Sequence, residues 1–122
     1  MTVVEELTQY LKTIETFDKD ASQDAQALYA YLINLSNWMA RAGFIMAGSK
    51  RLIRQQKELM YEKVNSLKLS PSLAKDYLDS INSELHYTYE LAERCSRCCV
   101  HTGDSLRTII SSLKNERNAS HY

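Results

Sequence analysis

Between Arg41 and Lys57 the chain carries five cations, Arg41, Lys50, Arg51, Arg54 and Lys57, and no carboxylate. On a helix, Lys50, Arg54 and Lys57 share one face, with Tyr61 one turn further along and Arg51 beside them. A row of cations interleaved with an aromatic ring follows a phosphate backbone while the ring stacks on a base. Single-stranded nucleic acid is held in this way without its sequence being read. The competing reading is a solvated helix face, partly neutralised by a neighbouring helix. An antiparallel partner would bring Tyr89 and Glu90 near Lys50, and Leu85 and Glu84 near Arg54.

Other reactive side chains have weaker chemical claims. Cys95, Cys98 and Cys99 with His101 offer thiols and an imidazole, the ligands of zinc and of redox couples. Cys95 and Cys99 nevertheless fall where a helix would bury small apolar residues, and no second ligand cluster exists to complete a tetrahedron, so no metal is expected. The run from Gly43 to Lys50 nearly spells a phosphate-binding loop, but Ser49 and Lys50 stand in the wrong order and no strand precedes them. Glu84, Glu90 and Glu93 would need a concave, partly desolvated setting to work as an acid/base pair, and they read as solvated helix surface. His86 is expected on an outer face and His121 in a frayed tail. Neither catalysis nor a cofactor is expected.

These residues must be positioned by long helices. Apolar positions alternate in steps of three and four from Ala25 through Leu28, Leu35, Ala42 and Ile53 to Leu67, and again from Ala74 through Leu85, Ala92, Cys95, Cys99 and Leu106 to Leu113. Such spacing keeps one seam against a partner helix. The expected fold is all-α: a long antiparallel heptad-patterned helical hairpin plus a short N-terminal amphipathic helix, in one domain spanning 1–122. Helices are predicted over 2–17, 22–68 and 71–115, with 116–122 frayed. Thr2 and Glu5 form a capping-box pattern, Asp20 or Ser22 is the expected cap of the second helix, and Ser70 with Pro71 opens the third. Gly43 and Gly48 are the expected places for a bend.

A further apolar stripe, Tyr31, Trp38, Ile45, Leu52 and Leu59, recurs every seven residues beside the seam. A two-helix hairpin would leave it in water, and the short first helix reaches only about half of it. The remainder predicts contact with another subunit or a partner protein.

Composition narrows the setting. The 122 residues carry 15 Lys and Arg against 15 Asp and Glu, so no whole-molecule field attracts nucleic acid or membrane, and any such binding must be local. No stretch is apolar enough to span a bilayer, Glu5 and Glu6 stand where a secretory leader would be basic and then apolar, and three closely spaced cysteines do not make a disulfide framework. A cytoplasmic protein is expected.

The segment Leu35-Ser36-Asn37-Trp38-Met39 leads into the basic stretch. It is followed later by Tyr87-Thr88-Tyr89-Glu90-Leu91-Ala92-Glu93-Arg94-Cys95-Ser96 and by Asp104 and Arg107. This pattern resembles the phage recombination-mediator family typified by UvsY, over roughly residues 28 to 113. The resemblance implies a helical protein that assembles into rings, binds single-stranded DNA and helps a recombinase replace a single-strand-binding protein. It maps the family's DNA-contacting helix onto Lys50, Arg51, Arg54 and Lys57. The connection around Pro71 is shorter than the family's, and the cysteine cluster has no counterpart in it. A different class of function fits the same helices: a protein-only adaptor or inhibitor, such as a phage anti-defence protein, acting through its exposed apolar face.

Overall fold

The computed structural model describes residues 1–17 and 24–119, with side chains to 117. It contains five helices, α1 (Val3–Thr16), α2 (Ala25–Leu59), α3 (Tyr61–Ser66), α4 (Pro71–Ile81) and α5 (Ser83–Ala119), and no strand among the described residues. The long helices α2 and α5 pack along each other as the arms of the hairpin, and α1 lies against both, mainly against α5.

The local reasons are legible at each terminus. Thr2 accepts the Glu5 amide proton at 3.1 Å while the Glu5 carboxylate accepts from the Thr2 amide at 3.4 Å, so the capping box closes as the pattern implies. At the tip, Ser70 accepts from the Leu73 amide at 3.3 Å and Pro71 takes the first helical position. Lys68 turns the chain in the left-handed region, at φ 52°.

Four expectations need correction. The second helix starts at Ala25 with Asp24 as its cap, the Asp24 carboxylate accepting from the Gln26 amide at 3.0 Å; Asp20 and Ser22 lie outside the described residues. The helices expected over 22–68 and 71–115 are interrupted at Met60 (φ −94°, ψ 0°) and Asn82 (φ −95°, ψ 13°). The hydrogen-bond ladder crosses both points, since the Met60 amide donates to the Gln56 carbonyl and the Met60 carbonyl accepts from Val64, each at 3.0 Å. These are local irregularities within continuous arms. The helix is unbroken through Gly43 and Gly48. Finally, α5 continues to Ala119 rather than fraying from 116. Leu113 is half-buried there, Lys114 places its ammonium 5.3 Å from the Tyr29 ring centroid, and Arg117 adds a cation to the last turn, where the helix dipole favours it. His121 lies outside the described residues.

The core is concentrated where three helices meet. Leu7, Leu11 and Ile14 of α1 join Leu28, Leu35 and Ala42 of α2 and Ala92, Cys95, Cys99, Leu106 and Ile110 of α5. On α5 the buried set drifts off the strict heptad: Ile110 is buried, whereas Ile109, three residues on from Leu106, is only half-buried. Cys95 to Leu106 and Cys99 to Ile110 are eleven-residue steps. A straight helix of 3.6 residues per turn rotates out of a seven-residue register over this length, and an eleven-residue repeat follows it more closely.

Gly43 and Gly48 have nothing within 4 Å of where a Cβ would stand. Since both sit inside a continuous helix, Gly43→Ala and Gly48→Ala are each expected to raise stability by about 0.5–1 kcal/mol. Denaturant titration checks this, and a loss of stability at either site would mean that the helix bends there.

Candidate nucleic-acid interface

The basic stretch does not lie on a flat surface. Lys50, Arg54 and Lys57 of α2 line one side of a cleft of about 390 Å³, with His86 and Tyr89 of α5 opposite and Ile53 between the arms. Ile53 is buried, so the cleft has an apolar floor. No carboxylate lines it. The Lys50 ammonium sits 5.7 Å from the Tyr89 ring centroid, which is where the antiparallel register puts it.

Cross-hairpin neutralisation does not occur here. Among the described residues ion pairs join Arg41 with Glu6, Arg94 with Glu15, Arg97 with Glu93 and Arg107 with Asp104, and the His86 imidazole faces Asp79. Lys50, Arg51, Arg54 and Lys57 belong to none of them, so neither Glu90 nor Glu84 takes up Lys50 or Arg54.

Of the five residues expected to bind nucleic acid, three converge. Arg51 is exposed on a neighbouring face outside the cleft, and Tyr61, also exposed, lies past the irregularity at Met60 and does not line it. The ring that does is Tyr89, which the sequence pattern had marked only as a neighbour of Lys50. His86 is not on an outer face as expected: it forms a wall of the cleft, and its Nε2 is 3.6 Å from Asp79 Oδ1, too long for a hydrogen bond. Both α5 residues could have been found by carrying the hairpin register across to α2, since positions three apart on a helix face the same way.

Arg41 is removed from the basic set by a structural duty. Its guanidinium donates from Nε to Glu6 Oε1 at 2.8 Å and from Nη2 to Glu6 Oε2 at 3.1 Å, and the Tyr10 hydroxyl donates to the same Oε1 at 2.6 Å. The Arg41 and Tyr10 hydrogen bonds hold the Glu6 carboxyl below its ordinary range, and the bond to Glu6 pushes the Tyr10 hydroxyl up to about 12. The node ties α1 to α2, reinforced by Tyr10 stacking on Trp38 at 5.4 Å and Phe17 on Tyr31 at 3.8 Å.

That docking splits the apolar stripe. Tyr31 and Trp38 lie beneath α1 aromatics and Ile45 is buried, whereas Leu52 is 51% exposed and Leu59 78% exposed beyond the reach of α1. Beside Leu52 runs an apolar groove of about 300 Å³ whose lining includes Val3, Phe44, Ile45 and Leu85. Cys95 and Cys99 are core side chains, as the seam implied. The hydrogen bond with Cys99, and then burial, push the Cys95 thiol up, away from the reactive thiolate.

No protein-family model matches the chain, and no curated protein or solved structure shows significant similarity to it. No described helix is long and apolar enough to cross a membrane.

Proposed function

We propose that this protein is a non-catalytic accessory factor that binds single-stranded DNA through the α2–α5 cleft and acts alongside partner proteins, in the manner of a phage-type recombination mediator. The observation that carries the reading is the convergence of Lys50, Arg54 and Lys57, none of them in an ion pair among the described residues, on a concave surface that also presents Tyr89 and an apolar floor. Cations without carboxylate partners keep their counterions, and releasing those counterions to a phosphate chain favours binding. A ring beside them supplies base stacking that every base can use. The pattern resemblance to UvsY-like mediators points the same way and adds a recombinase or single-strand-binding protein as the partner and a homo-oligomer as the working form. A cytoplasmic setting accords with both.

The test is fluorescence anisotropy of a labelled single-stranded oligonucleotide over a salt series. Affinity is expected to fall with salt at a log-log slope of roughly −2 for three phosphate contacts, or nearer −3 with Arg51, at about −0.7 per contact. Oligonucleotides of different sequence should bind alike, because nothing in the cleft reads base edges. Absence of binding at low salt defeats the reading.

A second reading, a protein-only helical adaptor or inhibitor, is favoured by one separate observation: Leu52 and Phe44 stand exposed on the apolar groove beside α1, and Leu59 is exposed further along α2. The same surface fits self-association. Light scattering at micromolar concentration is expected to give a mass above the 14.1 kDa of one chain, falling toward it for Leu52→Asp with Leu59→Asp. A monomeric parent protein at these concentrations removes the homo-oligomer.

A further inference from the structure

Resting on the nucleic-acid reading of the same cleft, we infer that its preferred occupant is the charged end of a nucleotide, a phosphomonoester or polyphosphate, rather than the interior of a strand. The positive surface is short. Lys50 to Lys57 spans about 10 Å at 1.5 Å per residue. Beyond it the charges are mixed or taken: Glu58 and Glu62 come between Lys57 and Lys63 in the chain, and on the other side Arg41 is held by Glu6. A strand running along α2 would leave three cations for carboxylates or for an already paired arginine.

The cleft is shaped for something compact. Its volume, about 390 Å³, falls within the range of roughly 300–1,000 Å³ typical of small-ligand pockets, and it combines an apolar floor with a few convergent polar groups. Three cations in one concavity gain most from a ligand whose charge is concentrated. A terminal phosphate carries about −1.5 to −2, against −1 for each phosphodiester. Base and phosphate can be accommodated together: the Tyr89 ring offers a stacking face, and the Lys50 ammonium that now covers it becomes available to the phosphate when a base takes its place. The shared chemistry is a terminal or clustered phosphate attached to a base, and it has two sources, a phosphorylated strand end or a free nucleotide.

Two oligonucleotides of one sequence, labelled at the 3′ end and bearing either a 5′-phosphate or a 5′-hydroxyl, are compared by anisotropy, with adenosine triphosphate as competitor and its direct binding measured by calorimetry. The phosphorylated strand is expected to bind about threefold to fivefold tighter, the scale of one added exposed charge pair. That preference is expected to disappear in Arg54→Ala and to persist in Lys63→Ala, which lies outside the cleft. A 5′-phosphate preference identifies the strand end as the occupant, and competition by adenosine triphosphate identifies the free nucleotide; either supports the inference. Equal binding of both strands with no competition overturns it and leaves the single-strand reading standing. Nucleotide binding without binding of either strand supports the cleft's preference and overturns the single-strand reading, and binding of none of the three overturns both.

Discussion

Replacing Lys50, Arg51, Arg54 and Lys57 together with alanine is expected to abolish single-strand binding at moderate salt while leaving the fold intact. All four side chains are exposed, and none is engaged in an ion pair among the described residues, so their removal leaves no buried partner unsatisfied. Surface substitutions of this kind stay within about 0.5 kcal/mol each, and alanine is the strongest helix former. Circular dichroism and the melting curve should therefore match those of the parent. Binding should lose at least about 100-fold, and the salt slope should fall from roughly −3 to near zero, because the slope counts released counterions. The single variants separate cleft from surface: Arg54→Ala, inside, is expected to cost more than Arg51→Ala, outside. Tyr89→Ala should weaken binding with little change in the salt slope, since stacking releases no ions, whereas Tyr61→Ala should do nothing. A quadruple variant that binds as well as the parent makes the cations a solvated helix face and leaves the adaptor reading.

The hairpin was legible in the sequence because a stepped apolar seam admits few arrangements. The helices α1, α2 and α4 each begin at a side chain that caps them, Thr2, Asp24 and Ser70, and Pro71 with Ser70 could only open one. The sequence misled where physics is not local. Gly43 and Gly48 read as bends on propensity alone, yet both lie within one unbroken helix, because a preference worth about 1 kcal/mol does not outweigh the hydrogen-bonded turns on either side. The interruptions instead fall at Met60 and Asn82, residues with no such signal. Asn82 is only 1% exposed, and neither its amide nitrogen nor its side-chain oxygen has a partner among the described residues. For the site, the cations were legible because they stand in one run of one helix. The opposing wall was not, because His86 and Tyr89 meet them only through the register of the hairpin, and a slip of a few residues would turn them elsewhere. Whether a carboxylate neutralises a given cation is likewise decided by rotamers and distances that spacing does not specify.

The two ends of the hairpin should respond very differently to the same chemical insult. Leu35→Asp places a carboxylate in the three-helix core, in a cluster of buried apolar side chains from α1, α2 and α5. An unpaired buried charge, with the lost apolar contact, costs more than about 4 kcal/mol, against a total stability of about 5–15 kcal/mol for a domain of ordinary size. The cooperative melt is expected to vanish or to fall by tens of degrees. Leu85→Asp, at a half-buried position on the open groove beside the start of α1, should melt earlier than the parent yet remain folded. Leu52→Asp and Leu59→Asp, beyond α1 and already in water, should leave the melt of the isolated chain within a few degrees. If Leu35→Asp melts like the parent, the packing of α2 described above is wrong. If instead Leu52→Asp lowers the melt as severely as Leu35→Asp, its face is covered in solution, and the stability of the chain depends on whatever covers it.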